Sequence, residues 1–475
     1  MMSEQPPARG RKARETDPGS HRGWGLVVLC AAFFVVVSDS TIVYTALPAI
    51  ERDLEFSPGR VQWVIIVYAL TSGGLLLLGG RCADLLGHRR VFIAGVGAFT
   101  GASLLCGLAW SSGVLVAARV IEGLGAAVMV PAALSLLMRT FPEGAERNKA
   151  LGVWGSLGGI GATAGLLLGG PLTEGLGWPW IFFLNIPVGG AVLALAPRLL
   201  PDSRDPRHLS SLDIPGALTI TLALLTLIYA VVEAPDVGWT AARTVALLGV
   251  AVALAGLFVL VERRATAPLV PLRIFRSRTL VGGNLVVLTA GMAVDGVLFT
   301  FTLFAQQVLG YSAVRFALAM AVMTVTSFVG VFVGQSLVTR VGPQRVAVAG
   351  MTLIGLGSVL LAQGTAGEAF IGVLILGLLV FGAGLGAAFV AAQIAALTGV
   401  AERDAGLASG VEETTFSIGN ALGVALLSTI AISQPGPLTG TRVAFAGAAV
   451  IATLGGVAAL TLLRQTRLRQ ERPID

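Results

Sequence analysis

Four charged side chains stand inside long apolar runs: Asp39, Arg119, Glu122 and Asp295. A carboxylate held in such surroundings is costly and is kept for a reason. It can bind and release a proton, accept a cation in the proton's place, or brace its helix through hydrogen bonds to a neighbour. Arg119 and Glu122 are three residues apart and so share one helical face. That spacing suits either a purely structural ion pair or a switch whose state depends on a proton. Nothing points to bond-making chemistry. The three cysteines (Cys30, Cys82 and Cys106) form no CxxC, and the three histidines are scattered. There is no phosphate-binding Walker A sequence and no convergent group of histidines or carboxylates. The expectation is a protein that is no enzyme and uses no metal or cofactor.

Two glycine-rich segments accompany these charges. Gly80-Arg-Cys-Ala-Asp84-Leu-Leu-Gly87-His-Arg89-Arg90 joins two apolar runs. Its glycines allow a tight turn and close helix approach. Asp84 can cap a helix start or pair with an arginine. Such a cluster is either an ordinary charged loop or a latch that holds two helices in one state and frees them in another. Gly161, Gly165 and Gly169, four residues apart and followed by Gly170, give a flat face against which a second helix can lie close.

The elements that position these residues follow from composition. Of 475 residues, 55% are hydrophobic and 12% charged, against about 25% charged in an ordinary soluble domain. The apolar stretches run about 20 residues without period-2 alternation, which selects membrane helices over a barrel. Fourteen spans are predicted, near 24–50, 61–80, 91–110, 113–138, 150–171, 181–198, 214–233, 244–262, 280–304, 314–338, 345–363, 369–398, 412–432 and 443–463. With the N-terminus in the cytoplasm, 26 of the 32 lysines and arginines fall in inside segments and five (Arg52, Arg60, Arg243, Arg315 and Arg442) outside, with Arg119 within a span. This asymmetry predicts fourteen spans and two cytoplasmic termini. It also accounts for the net charge of +6 without nucleic acid as a partner.

An internal repeat is legible. Asp39 matches Asp295 at an offset of 256, and Gly87 matches Gly342 at 255. The pentapeptide at 123–127 recurs at 384–388, and Gly161–Gly165 resembles Gly419–Gly423. The predicted organisation is a tail (1–23), a six-helix bundle (24–198), a linker (199–213), two extra helices (214–262), a loop (263–279), a second six-helix bundle (280–463) and a tail (464–475). At 1.5 Å per residue both aspartates lie roughly 22 Å from the inner ends of their helices. The repeat predicts that the two carboxylates face one cavity.

These residues resemble the major facilitator superfamily, in its fourteen-span drug:proton antiporter branch, over about 24–464. Gly80–Arg90 is similar to the superfamily's signature loop. Asp39–Pro48 is similar to the branch's first-span motif, Arg119–Ala127 to the span-4 motif tied to proton coupling, and Gly161–Gly170 to the antiporter motif. The segment from Trp180 through Asn185 and Pro187 to Gly189 is also typical of the branch. Departures are Leu85 where arginine is usual, Glu122 for glutamine, Leu166 for proline, and Glu413 and Phe416 where asparagine and arginine are common. The resemblance implies an all-α integral membrane fold of fourteen helices. It also implies proton-driven efflux of small amphipathic or lipophilic compounds, antibiotics among them, through the bacterial plasma membrane. Asp39, Arg119, Glu122 and Asp295 are then the coupling and substrate residues. Gly80, Asp84, Gly87 and Arg89 govern the conformational change, and Gly161, Gly165, Gly169 and Gly170 are a packing surface. The expected partners are the substrate, protons and the lipid bilayer, with the chain working as a monomer. Leu166 also suits a proton-coupled importer of the same fold; a non-transporting membrane sensor would need an output domain that no loop here can hold.

Overall fold

The computed structural model describes residues 18–57, 60–142, 144–201, 213–265, 268, 270, 272–363, 370–398 and 402–463. Most of both expected tails and of the 199–213 linker, with part of the 263–279 loop, lie outside the described residues. The helices in chain order are α1 (Pro18–Asp53), α2 (Trp63–Gly74), α3 (Leu76–Leu86), α4 (His88–Gly107), α5 (Ser112–Thr140), α6 (Ala145–Gly175), α7 (Pro179–Phe183), α8 (Asn185–Leu199), α9 (Ile214–Val237), α10 (Ala242–Arg264), α11 (Arg278–Leu303), α12 (Ala313–Val341), α13 (Pro343–Ala362), α14 (Phe370–Leu397), α15 (Glu402–Ile432) and α16 (Pro437–Leu462). A π-helical turn, Phe304–Val308, extends α11. No strand occurs among the described residues.

Thirteen of these segments, α7 and α8 counting as one, are long and apolar enough to cross a membrane; α2 and α3, bent by 51° after Gly74, make the fourteenth if read as one broken span. Consecutive glycines at 73 and 74 weaken the helix at that bend. Serine caps start α5, α11 and α12: Ser111, Ser277 and Ser312 each accept a bond from a backbone N–H three residues on. The chain is thus a multi-pass membrane protein whose backbone bonds are satisfied within helices.

The first half packs α1 on α6 and α8, α4 on α5 and α8, and α2 on α5; the second packs α11 on α15 and α16, and α13 on α14 and α16. The repeat is visible in detail. Gly87 ends α3 at φ +95° and Gly342 ends α12 at φ +87°, a left-handed turn that a side chain would strain. The identical pentapeptides, however, are not equivalent in space. A Cβ on Gly125 would strike Gly95 O and Phe99 N of α4, and one on Gly384 would strike Gly350 O and Ile354 N of α13. Gly123 lies against Tyr68 and Thr71, and Gly382 against Met323 and Thr326. The register between α5 and α14 is therefore 259, not the 261 that the matching letters suggest. Close packing selects glycine at several points along one helix, so a short match can slip by two residues.

Let the near end be the one from which α1 departs and the far end the one where it finishes. The halves are joined at the far end. Gln307 Nε2 donates to Glu51 Oε2 at 2.9 Å, the Val314 N–H to Glu174 Oε1 at 2.7 Å, and Ser428 is bonded to Gln62. One buried core there runs through α1, α2, α11 and α15, while the near-end core of the first half is separate. Along α11, partly exposed positions 281, 285, 288, 292 and 295 form one face, and 296–302 are all buried. Along α1, positions 33, 36, 37, 40 and 41 are partly exposed, and 42–48 are all buried. A cleft thus rises from the near end and stops at Thr41 and Asp295.

Candidate functional site

α1, α4, α5 and the junction of α7 with α8 bring five polar side chains into a closed ring. Arg119 NH1 donates to Asp39 Oδ2 at 2.5 Å and to Glu122 Oε2 at 2.8 Å. Ser103 donates to Glu122 Oε1. Asn185 Nδ2 donates to Ser103 Oγ at 3.2 Å and to Asp39 Oδ1 at 2.9 Å, which completes the circuit. All five side chains are buried, at 3% exposure or less. Arg119 Nε also donates to Val64 O at 3.0 Å, and its guanidinium stacks 4.1 Å above the Tyr68 ring. Cys106 Sγ approaches Glu122 Oε2 at 3.6 Å.

The helices place these groups for simple reasons. Arg119 and Glu122 lie one turn apart on α5, and Ser103 and Cys106 one turn apart on the facing side of α4. Gly125, against the backbone of α4, brings the two helices close enough for Ser103 to reach Glu122. Asn185 opens α8 directly after the short α7, and its amide enters from the far end. The ring joins two carboxylates to one guanidinium. With both carboxylates ionised it carries one net negative charge; with one proton bound it carries none. An unbalanced charge is costly here, so the arrangement is chemically fit to hold a single proton.

The expected Arg119–Glu122 pair is present, but as part of a triad with Asp39. The expectation that Asp39 and Asp295 face one cavity is corrected. Asp39 is wholly enclosed by Arg119 and Asn185, whereas Asp295 is half-buried at the blind end of the cleft. The buried Tyr44 hydroxyl faces the Asp295 carboxylate without reaching hydrogen-bond geometry. Nor are the two aspartates equivalent: Gly161 and Gly165 meet Phe34 O and Ser38 O of α1, and Gly419 and Gly423 meet Leu288 O and Met292 O of α11, a register of 254 and not the expected 256. In the α14 register the places of Arg119 and Glu122 are taken by Leu378 and Phe381, both buried.

The signature-like loop ties elements of the first half together, and α3, which carries its start, also packs on α15. Asp84 Oδ1 meets His88 Nε2 at 3.2 Å, and Arg89 NH1 donates to Pro197 O at 3.3 Å and Leu200 O at 3.1 Å, tying the start of α4 to the end of α8. Gly80 faces Pro131 of α5. In the glycine motif, Gly161, Gly165 and Gly169 press on Val37, Ser38 and Ile42 of α1, inside the first half. Thr41 Oγ1 donates to Ala162 O at 3.0 Å across that contact. Gly170 points the other way, to the backbone of Ala313 and Val314 in the second half. Sequence reasoning did not find Ser103, Cys106 or Tyr68; a serine in an apolar helix carries no signal until its partner is known. Asn185 and Tyr44 stood in motif segments without a role.

A sequence model of the Major Facilitator Superfamily matches residues 29–362 and 285–475. A puromycin resistance protein of Streptomyces alboniger is 40% identical over 421 residues, covering 87% of this chain and 82% of that protein. A cephamycin export protein of Amycolatopsis lactamdurans is 39% identical over 425 residues, covering 88% and 87%. Among solved structures, a bacterial homologue of the human lysosomal transporter Spinster, inward-facing and unoccupied, aligns with a TM-score of 0.66 at 17% identity, covering 96% of this chain and 98% of that one. With fourteen candidate spans, a repeated pair of halves and a cleft between them, the chain belongs to the Major Facilitator Superfamily.

Proposed function

We propose that the protein is a secondary transporter that exports small amphipathic or lipophilic compounds, antibiotics among them, from the bacterial cytoplasm in exchange for protons. It would lie in the plasma membrane with both termini cytoplasmic, so that the near end faces the cytoplasm. The observation that carries the reading is the pairing of a buried, proton-sized charge deficit at Asp39–Arg119–Glu122 with a cleft ending at Asp295. The relatives named for resistance to or export of puromycin and cephamycin support the direction and the substrate class. A substrate entering from the near end would climb the cleft to Asp295, and a proton taken up by the ring would change the packing of α1, α4, α5 and α8 together. The Gly80–Arg90 loop, tied to α8, would carry that change to the near end, and the close α1–α6 packing would keep the half rigid as it rocks. No cofactor enters this scheme; the proton gradient drives it, and the chain acts as a monomer without enzymatic activity.

The test is flux in proteoliposomes with an imposed pH gradient and a panel of cationic and neutral antibiotics. Export predicts substrate movement opposite to proton movement, with Asp39→Asn uncoupled. Substrate and protons moving in the same direction would establish the importer, and no flux for any of the panel would remove the antibiotic reading.

A further inference from the structure

The family's common plan needs twelve helices, and the two surplus ones, α9 and α10, have no role in the scheme above. Their placement is specific. α9 lies along the edge where α2 of the first half meets α15 of the second, and α10 packs on α9. At the near end the contacts of α9 are small and apolar: Ala217 shares a core with Leu75, Leu78 and Val411. At the far end they are charged. Glu233, with its side chain only 7% exposed, receives Arg60 NH2 at 2.6 Å from the segment leading into α2. Arg243 of α10 approaches the other oxygen at 3.6 Å and donates to Tyr229 Oη at 2.7 Å. Tyr229 in turn lies against Trp63, with ring centroids 6.1 Å apart. On the other side Thr429 Oγ1 of α15 reaches Val231 O at 3.5 Å. These contacts flank the Gln62–Ser428 bond between the halves: Arg60 stands two residues before Gln62, and Thr429 follows Ser428.

We propose that the α9–α10 hairpin is the bolt of the far gate, and that the Arg60–Glu233–Arg243 cluster is its latch. A carrier that alternates access must part α2 from α15 at Gln62 and Ser428. α9 spans both partners there, so it has to release one of them before the far end opens. At the far end the polar contact to the first half is a short ion pair to a buried carboxylate and that to the second is a long hydroxyl bond, while nearer the other end Ala217 packs on Val411 of α15 as well as on Leu75 and Leu78. The far end of the hairpin therefore stays with the first half and parts from α15 in each cycle. While Glu233 is held, α9 stays seated in the groove beside Gln62 and biases the protein toward the far-closed state. Loss of the pair leaves α9 loosely held and shifts the balance toward far-open.

A cysteine placed at Val424, wholly buried one turn below Ser428 on the face of α15 that meets α2, reports this. The background carries Cys30→Ser and Cys82→Ser, and Cys106 stays because it is buried against Glu122. Protein in nanodiscs is reacted with a membrane-impermeant maleimide. Glu233→Gln and Arg60→Gln should each raise the labelling rate about fivefold or more, and the double variant should do no more than either single one. Monodispersity on size exclusion separates gate opening from misfolding. Should Glu233→Gln fail to accumulate, Arg60→Gln decides, since Arg60 is 41% exposed and its loss leaves no cavity. Unchanged labelling in a monodisperse Arg60→Gln protein, or effects that simply add in the double variant, would overturn the latch. The readout needs no substrate, so it stands or fails apart from the export reading.

Discussion

Arg119→Ala removes the centre of the buried ring, and its consequences separate a structural pair from a working one. The wild-type guanidinium neutralises Asp39 and Glu122, satisfies Val64 O and stacks on Tyr68. Alanine leaves two wholly buried carboxylates facing one another with no cation. Breaking a buried pair from one side costs about 3–5 kcal/mol, and two acceptors are orphaned here. At about 1.4 kcal/mol per decade, the population of correctly packed protein falls by roughly two to three and a half orders of magnitude if nothing relaxes. Much of that cost is leftover charge, so it should be recoverable. Arg119→Ala combined with Asp39→Asn and Glu122→Gln removes the charges, and its thermal midpoint should return most of the way to wild type. Transport should not return, because the proton-binding group has gone. Arg119→Lys should also fail to restore transport, since one ammonium cannot reproduce a planar fork aimed at Asp39, Glu122 and Val64 together. The assay is a thermal-shift series on purified protein beside proton-coupled uptake in proteoliposomes. Wild-type transport by Arg119→Ala, or a triple variant no more stable than the single one, would refute the reasoning.

Asp39→Asn should abolish proton-driven transport while the protein still reaches the membrane, because asparagine keeps the geometry of the ring but not its charge; full coupled transport would reduce Asp39 to a brace. Asp295→Asn should weaken cationic substrates roughly tenfold to a hundredfold, the worth of about 1.5–3 kcal/mol for a bond to a charged group, and spare neutral ones, as read from apparent affinities across a substrate panel. Gly165→Ala should destabilise by about 1–3 kcal/mol, because the new Cβ collides with Ser38 O, whereas Gly158→Ala, which meets open space, should stabilise by about 0.5–1 kcal/mol in thermal-shift measurements. Reporter fusions at Asp202 and Asp475 should read cytoplasm and one at Asp236 the outside.

The span count and the two-half plan were legible because hydropathy and the placement of arginine act over 20 residues at a time, so single misread residues do not disturb them. The bend at Gly74 and the split of one span into α7 and α8 were not, since both depend on what packs against the helix. At the site, Asp39, Arg119 and Glu122 were visible as charges out of place, and the one-face argument correctly paired Arg119 with Glu122. That Asp39 belongs to the same cluster was invisible, because α1 and α5 meet at a sequence distance of 80 residues and no periodicity records it. The matching pentapeptides misled by two residues for a related reason: they report that glycine is needed, not which neighbour needs it.

Packing shows how a duplicated fold comes to have two unlike carboxylates: they are not repeat mates. In the register of 254 between α1 and α11, Ala293 stands in the place of Asp39, and Asp295 in the place of Thr41. Ser103 has its counterpart in Ser358, which donates to its own helix at Ile354 O. Arg119 and Glu122 have Leu378 and Phe381 in their places. The second half therefore lacks the charged members of the ring, and its own aspartate stands at another position, where the cleft ends and the Tyr44 hydroxyl faces it. The two halves thus divide the work that one symmetric pair could not do. One carboxylate is enclosed with its own cation, where the gain of a proton alters packing. The other is open to whatever positive charge enters from the near end.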